Sequence, residues 1–218
     1  ILFPPFSSTH KRVYPGLLKS RQTCLYMEMM VQSRRDELVD TALRLFYTRG
    51  FNATGIDKIL AEAGVAKMTL YKHFRSKEEL ILAALNRRDE QFRNWLMGEM
   101  EKASPRPRER LLAMFDALED WFNGRAFKGL GFNGCAFINA ASEFGDHQHP
   151  IHRTAAEHKQ RIVDYLEPLC RQAGAEDPAA LAEQLALLKE GAIATAQVRG
   201  MPAASRTARA IAETLIPA

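Results

Sequence analysis

The helical spacing of the apolar residues is the feature that most constrains the fold of this chain. From Ser33 onward apolar side chains recur every three to four residues, and no segment shows the alternation typical of a half-buried strand. No internal repeat of fixed period is present. The pattern predicts an all-α fold of about nine helices. With 218 residues, 46% of them hydrophobic, the chain can form one or two domains with a core.

The densest run of helix signals lies in residues 33–80. Three predicted helices start with a Ser or Thr cap and an acid three residues later, at Ser33 with Asp36, Thr54 with Asp57, and Ser76 with Glu79. Gly50 ends the first predicted helix. Gly64 permits a sharp turn between a second helix, at about 55–63, and a third, at about 66–75. Two short helices joined by a glycine turn after a longer helix form a helix-turn-helix.

The third predicted helix has two chemically different sides. At about 100° per residue, Leu70 and Phe74 fall on the side that packs inward. The other side presents Met68, Thr69, Tyr71, Lys72 and Arg75, with Lys67 and His73 at its borders. Met and Tyr are unusual on the outer side of a helix that faces only water, whereas both can contact DNA when the helix lies in a groove. An ordinary solvated helix is the alternative.

Residues 33–85 closely resemble the DNA-binding domain of TetR/AcrR-type transcriptional regulators. The resemblance rests on the turn FYTRGFNATGI, the helix-turn-helix ILAEAGVAKMTLYKHF and the helix start SKEEL. It implies that the matching positions contact double-stranded operator DNA: Thr54, Lys67, Met68, Thr69, Tyr71, Lys72, His73 and Lys77. Ala66 departs from the Ser or Thr often found there, so one hydroxyl contact to the DNA backbone is expected to be missing.

Charge and composition suggest three regions. The formal net charge is +4, and the positive excess lies before residue 89, which favours a basic binding head on a mildly acidic body. We expect a DNA-binding domain at 33–76 and a helical effector-binding and dimerisation domain at 77–218. Residues 1–32 are predicted to be a disordered leader or an extension upstream of a natural start at Met27, Met29 or Met30. The alternative is a basic arm that touches phosphates.

Cysteine usage and hydropathy limit where such a chain works. Cys24, Cys135 and Cys170 form no CxxC pair, so a reduced, cytoplasmic setting is the natural interpretation. No run approaches the roughly 18 apolar residues of a membrane span. We expect no cofactor, no metal and no membrane partner.

The helices after residue 107 are predicted to hold an effector site. Side chains that could line or point into an apolar cavity are Phe115, Trp121, Phe122, Cys135, Phe137, Ile138, Asn139 and Glu143. The resemblance implies a small-molecule effector of unknown identity in this body. The equally open alternative is that the aromatic residues only fill a core.

Two further interpretations concern chemically reactive residues. Cys135 follows Gly134 near a predicted helix start and could sense oxidants or electrophiles, although a small buried cysteine is commoner. Glu143 and His147 lie in a histidine-rich segment that could serve an enzyme or a zinc ion, but no nucleophile–base motif or HxxxH spacing supports either. We therefore predict that the chain is not an enzyme.

The last two predicted helices carry apolar stripes suited to a subunit interface. The stripe residues are Leu181, Leu185, Leu188, Ala192, Thr195, Ala208, Ile211, Ala212 and Leu215. Two such helices from each of two subunits would form a four-helix bundle, the dimer arrangement that the resemblance implies. Ordinary intrachain core is the alternative. These features predict a homodimeric regulator of a palindromic operator, and the resemblance implies that it is a ligand-responsive repressor, with an activator or an effector-free binder as alternatives.

Overall fold

The computed structural model describes residues 34–218. Leu38–Ala218 form one compact unit, and the part of the chain up to Glu37 is assigned to a separate one. The predictions for residues 1–32, for the Ser33 cap and for Cys24 lie outside the described residues. Within residues 34–218 the chain is entirely helical, with nine helices and no strand, so the predicted fold class is confirmed. None of these helices is both long and apolar enough to cross a membrane.

The first three helices form the head of the molecule. Helix α1 occupies residues 34–49, α2 spans Ile56–Ala63 and α3 spans Lys67–His73. The inner side of α1 is apolar and buried, and its residues include Leu38, Val39, Ala42, Leu45 and Phe46. Gly64 ends α2 in the left-handed conformation, with φ of 64°, which lets the chain reverse sharply into α3.

The remaining six helices form the body. Their bounds are α4 Lys77–Ala103, α5 Pro107–Phe122, α6 Ala136–Glu143, α7 Pro150–Gln172, α8 Pro178–Arg199 and α9 Ala204–Leu215. Helix α4 continues from the head into the body and packs against α5, α6 and α7. Helix α8 packs between α7 and α9 and also touches α5. Buried side chains from all these helices belong to one continuous apolar core.

Local capping chemistry explains where the helices begin. The Ser76 hydroxyl accepts a hydrogen bond from the Glu79 N–H, and the Asp177 carboxylate accepts one from the Ala180 N–H. The predicted cap at Thr54 is wrong. Gly55 is the residue before α2, and the Thr54 hydroxyl instead donates to the carbonyls of Gly50 and Leu45 at 2.7 and 3.3 Å.

A buried ionic cluster joins α4 to α7 in the middle of the body. Asp89 Oδ1 lies 2.7 Å from Nδ1 of the buried His158, and Arg93 and Arg161 also donate to the same carboxylate. Burial lowers the pKa of His158 to about 4, so the ring is neutral at neutral pH. Burial opposes ionisation of Asp89, but the hydrogen bonds from His158 and Arg93 outweigh it and hold the pKa of Asp89 well below its usual range. The cluster is internally satisfied and fixes the register of α4 on α7.

Candidate nucleic-acid interface and associated sites

Helix α3 presents a polar front and an apolar back, as predicted. Leu70 and Phe74 are buried against the head, whereas Met68 is 73% exposed and Tyr71 49% exposed. Lys72 is exposed as well. Within the described chain, nothing covers this front. The exposed thioether, phenol and ammonium groups are those that a helix uses in a major groove.

Side chains beside α3 complete this surface. Lys67 is exposed and lies 3.7 Å from the Asp57 carboxylate, while Thr69 and His73 are half-buried at the borders of the front. Ala66 precedes α3 and makes no side-chain cap, consistent with the missing hydroxyl noted in the sequence. At the start of α4, the Lys77 ammonium donates to the Asn52 carbonyl at 3.1 Å.

Thr54 is the exception among the predicted DNA contacts. Its side chain is buried and its hydroxyl is used by two backbone carbonyls. The prediction that Thr54 contacts DNA is therefore wrong for the structure described. Thr54 instead secures the turn that precedes α2.

A carboxylate from the body holds a turn of the head. The Glu143 carboxylate, at the end of α6, accepts hydrogen bonds from the backbone N–H groups of Phe51 and Asn52 at 2.8 and 2.6 Å. Gly50, with φ of 93°, precedes these donors, and a Cβ there would lie 3.1 Å from Glu143 Oε1. The prediction that Glu143 points into an effector cavity is wrong, because its oxygens are committed to residues 51–52. Glu143 therefore connects α6 of the body to the turn at residues 51–52 of the head through two hydrogen bonds.

The Glu143→Gln variant is expected to be less stable by about 1–3 kcal/mol, since one charged acceptor of two backbone donors is replaced by a neutral amide. For a chain of this size that corresponds to a lower Tm by roughly 2–12 °C. Thermal unfolding followed by circular dichroism measures it. Glu157→Gln is the matched control, because the Glu157 carboxylate contacts Arg161 at the exposed surface. Equal Tm values for the two variants would contradict the link.

The other predicted effector residues do not line one common cavity. Phe115, Trp121 and Phe137 are buried in the core, and Phe122 borders an open cavity of about 360 Å³ between the α5–α6 loop and α8. Ile138 is partly buried against the core. Asn139 donates to the Asn133 carbonyl and accepts from Gln197, a lining residue of that cavity. Phe115, Trp121 and Phe137 therefore belong to the core and do not line that cavity.

Cys135 precedes α6 and is buried. Its sulphur lies 3.2 Å from Lys159 Nζ, and that ammonium also pairs with Glu190 at 2.5 Å. Lys189, fully buried on α8, is the second partner of Glu190. The sequence predicted that Cys135 lies in the body, but no pattern in it indicated that Lys159, Glu190 and Lys189 would be buried nearby.

The histidine-rich segment shows no assembled metal site. His158 is committed to Asp89, and His152 Nδ1 lies 2.8 Å from the Phe144 carbonyl. Among the described residues, no three His, Cys, Asp or Glu side chains are grouped so that they could hold a metal ion. With Glu143 bonded to residues 51–52, the Glu143 and His147 region offers no free carboxylate at that position.

An open apolar groove runs between α8 and α9. It measures about 310 Å³ and its lining includes Leu187, Leu188, Ala192, Thr195, Ala208 and Ile211. Leu187 is 73% exposed, and Val198, three turns later on the same side of α8, is 83% exposed. Leu215 is exposed near the end of α9. Large exposed apolar side chains in one region are typical of a protein interface.

This groove corrects part of the predicted interface. Leu181, Leu185 and Ala212 are buried inside the chain, so their assignment to a subunit surface is wrong, and they belong to the intrachain core. Leu187 and Val198, which the prediction left out, are exposed instead. Leu188, Thr195 and Ile211 line the groove, Ala192 and Ala208 are buried but also line it, and Leu215 is exposed.

An all-helical body carrying an exposed helix-turn-helix defines a DNA-binding transcriptional regulator. Comparison of the sequence with known protein families supports this assignment. Residues 38–84 match the family described as bacterial regulatory proteins, tetR family, and residues 107–212 match the family described as tetracyclin repressor-like, C-terminal domain. The chain belongs to the TetR family of transcriptional regulators.

Individual relatives extend the similarity over most of the chain. A solved TetR-family regulator from Streptomyces coelicolor, SCO4454, is 34% identical, with a TM-score of 0.76 over 84% of this chain and 94% of its own. The HTH-type transcriptional regulator YjdC of Escherichia coli (strain K12) is 26% identical over 84% of this chain and 93% of its own. The transcriptional repressor KstR2 of Mycolicibacterium smegmatis is 38% identical over 40% of this chain and 44% of its own.

Proposed function

We propose that this protein is a homodimeric repressor that binds a palindromic operator and releases it when a small-molecule effector occupies the body. The uncovered front of α3 carries the proposal. Met68 and Tyr71 are held outward by the burial of Leu70 on the same short helix and of Phe74 directly after it. Lys67, Thr69, Lys72, His73 and Lys77 are the remaining proposed DNA contacts. Binding of DNA also makes the cytoplasm the expected location.

Sequence-specific binding requires two heads, because one short helix contacts too few base pairs to distinguish an operator from other DNA. A two-fold symmetric dimer presents two α3 helices to successive major grooves, so that half-site spacing becomes part of the recognition. The groove between α8 and α9 supports such a dimer, because a second copy could bury Leu187 and Val198 against its own α8 and α9. We propose repression, although the relatives do not decide it: KstR2 is named a repressor and FasR, which matches the same share of this chain, an activator.

The effector mechanism uses α4 and the Glu143 link. Because α4 starts beside the head at Lys77 and packs against α5, α6 and α7 in the body, a ligand that displaces it changes the separation of the two heads. Glu143 ties the 51–52 turn to α6 by a second route. The effector weakens DNA binding only if it binds more tightly to the arrangement that cannot bind DNA. The difference in its binding free energy between the two arrangements is about 1.4 kcal/mol for each tenfold loss of DNA affinity.

Selection from a random duplex library tests the DNA-binding part of this proposal. We expect the recovered duplexes to share a palindrome with two half-sites about one helical turn apart, and the purified chain to prefer that palindrome over random duplex by roughly 10³-fold or more at physiological salt. Recovery of no common sequence, with affinity set only by salt, would identify a sequence-independent binder instead.

A further inference from the structure

One buried charged side chain in the body has two donor atoms without a hydrogen-bond partner among the described residues. Arg88, on α4, is 2% exposed. Neither of its terminal nitrogens, Nη1 and Nη2, has a hydrogen-bond acceptor among the described residues. Leaving buried donors of a charged group unsatisfied is costly, so native proteins rarely do it. An acceptor for this guanidinium is therefore expected from outside the described residues.

Aromatic rings surround the guanidinium without satisfying it. Its central carbon lies 3.9 Å from the Phe127 ring centroid and 5.5–5.7 Å from those of Tyr47, Phe92 and Trp121. Cation–π contacts with such rings favour the positive charge. They leave the N–H donors of the guanidinium edge unpaired, because those donors lie in the plane of the group.

Among the described residues, no acid pairs with the terminal nitrogens of Arg88. Asp89, although adjacent in sequence, is committed to His158, Arg93 and Arg161. Glu190 pairs with the two lysines Lys159 and Lys189. The guanidinium therefore lacks a counter-charge in the described part of the chain, which favours an anionic guest.

We propose that Arg88 anchors the carboxylate of a small apolar organic acid whose hydrocarbon part packs on the surrounding aromatic rings. The two free terminal nitrogens match the two oxygens of one carboxylate, which guanidinium groups bind through paired hydrogen bonds. Phe92 and Trp121 form the apolar wall. This inference rests on the proposed function, because it specifies the chemical class of the effector.

Phe127 is the cover of this site. It is half-buried and lies in the loop between α5 and α6, where Gly124, Gly129 and Gly131 all have positive φ. The acid enters as Phe127 leaves the face of Arg88. Occupancy then reaches the head through Tyr47 of α1, whose hydroxyl donates to the Gly134 carbonyl and accepts from the Asn133 N–H at 2.8 and 2.9 Å.

Matched pairs of carboxylates and primary amides test the proposal on the full chain without DNA. The probes are benzoate, phenylacetate, hexanoate and octanoate, each compared with its amide by thermal shift and calorimetric titration at constant ionic strength. We expect at least one carboxylate to raise the Tm by roughly 5 °C near saturation, and its amide to raise it far less. In Arg88→Met the carboxylate is expected to bind at least about tenfold more weakly, close to its amide.

Arg87→Met is the control, since Arg87 lies on the same helix and pairs with Asp40 near the surface. It should retain the preference for the carboxylate. The proposal is overturned if no carboxylate stabilises the wild-type chain more than its amide, or if Arg88→Met keeps the full preference. Should Arg88→Met fail to fold, the wild-type comparison of carboxylate with amide decides alone.

The same probes separate this inference from the proposed function. If a carboxylate binds through Arg88 but does not weaken the binding of the selected duplex, the effector mechanism is overturned and the carboxylate site at Arg88 stands. Release of the duplex by a neutral amide, in both the wild-type chain and Arg88→Met, would overturn the site and leave the effector mechanism intact.

Discussion

The Leu187→Glu variant is expected to sediment as a monomer and to lose roughly 100-fold or more of its affinity for the selected duplex. Leu187 is largely exposed in the single chain and lies in the groove between α8 and α9. In the proposed dimer it becomes buried, so a glutamate there would place an unpaired carboxylate in an apolar interface. Once the subunits separate, each head binds its half-site alone and the gain from bivalent attachment disappears.

Sedimentation velocity and duplex titration measure the two consequences separately. Ala156→Glu is the matched control, because Ala156 is an exposed alanine on α7 and the change introduces the same charge. It should leave both the dimer and the affinity unchanged. A Leu187→Glu protein that stays dimeric at the concentration used for the wild type would show that the subunits meet elsewhere.

The helix boundaries were predictable because they depend on local chemistry. Ser76, Asp177 and the glycines Gly50, Gly64 and Gly200 cap or end helices through interactions within a few residues, which a sequence displays directly. The two sides of α3 were predictable for a similar reason. A short helix on a small head has one face to bury, and Leu70 and Phe74 define it.

The interface on α8 was only partly predictable because that helix carries apolar residues on more than one face. Leu181 and Leu185 face α7 and the core, whereas Leu187 and Val198 face outward. Periodicity alone does not tell which stripe meets the chain's own helices. The eleven-residue spacing of Leu187 and Val198, three helical turns, was the signal that could have identified the second stripe.

The roles of Arg88 and Glu143 could not be predicted from sequence because they depend on the packing of distant segments against each other. In the run NRRDEQF, Arg88 looks like part of a solvated helix face. It is buried because α4 is enclosed by α5, α6 and α7 as well as Tyr47 of α1. Glu143 meets the 51–52 turn across 92 residues of chain. Neither the burial of α4 nor the pairing of Glu143 with residues 51–52 produces a periodic pattern in the sequence.

Replacing both Tyr71 and Lys72 by alanine is expected to lower the affinity for the selected duplex by at least about 100-fold while leaving the dimer intact. Removing a side chain that binds a base costs about 1–3 kcal/mol, and each substitution acts twice in a two-fold complex. Both side chains are exposed and outside the core, so the fold should be unaffected. If Lys72 binds phosphate, its removal should also reduce the salt dependence of binding by about one ion per head.

Titration of the selected palindromic duplex at fixed salt, with the wild-type chain, the Tyr71 and Lys72 double variant and Lys102→Ala, tests the central claim most directly. Lys102 is an exposed lysine near the far end of α4, and its removal changes the net charge as Lys72→Ala does. The account predicts that the double variant loses its sequence-specific binding while Lys102→Ala binds as the wild type does. Unchanged affinity of the double variant would contradict the assignment of α3 as the element that reads DNA.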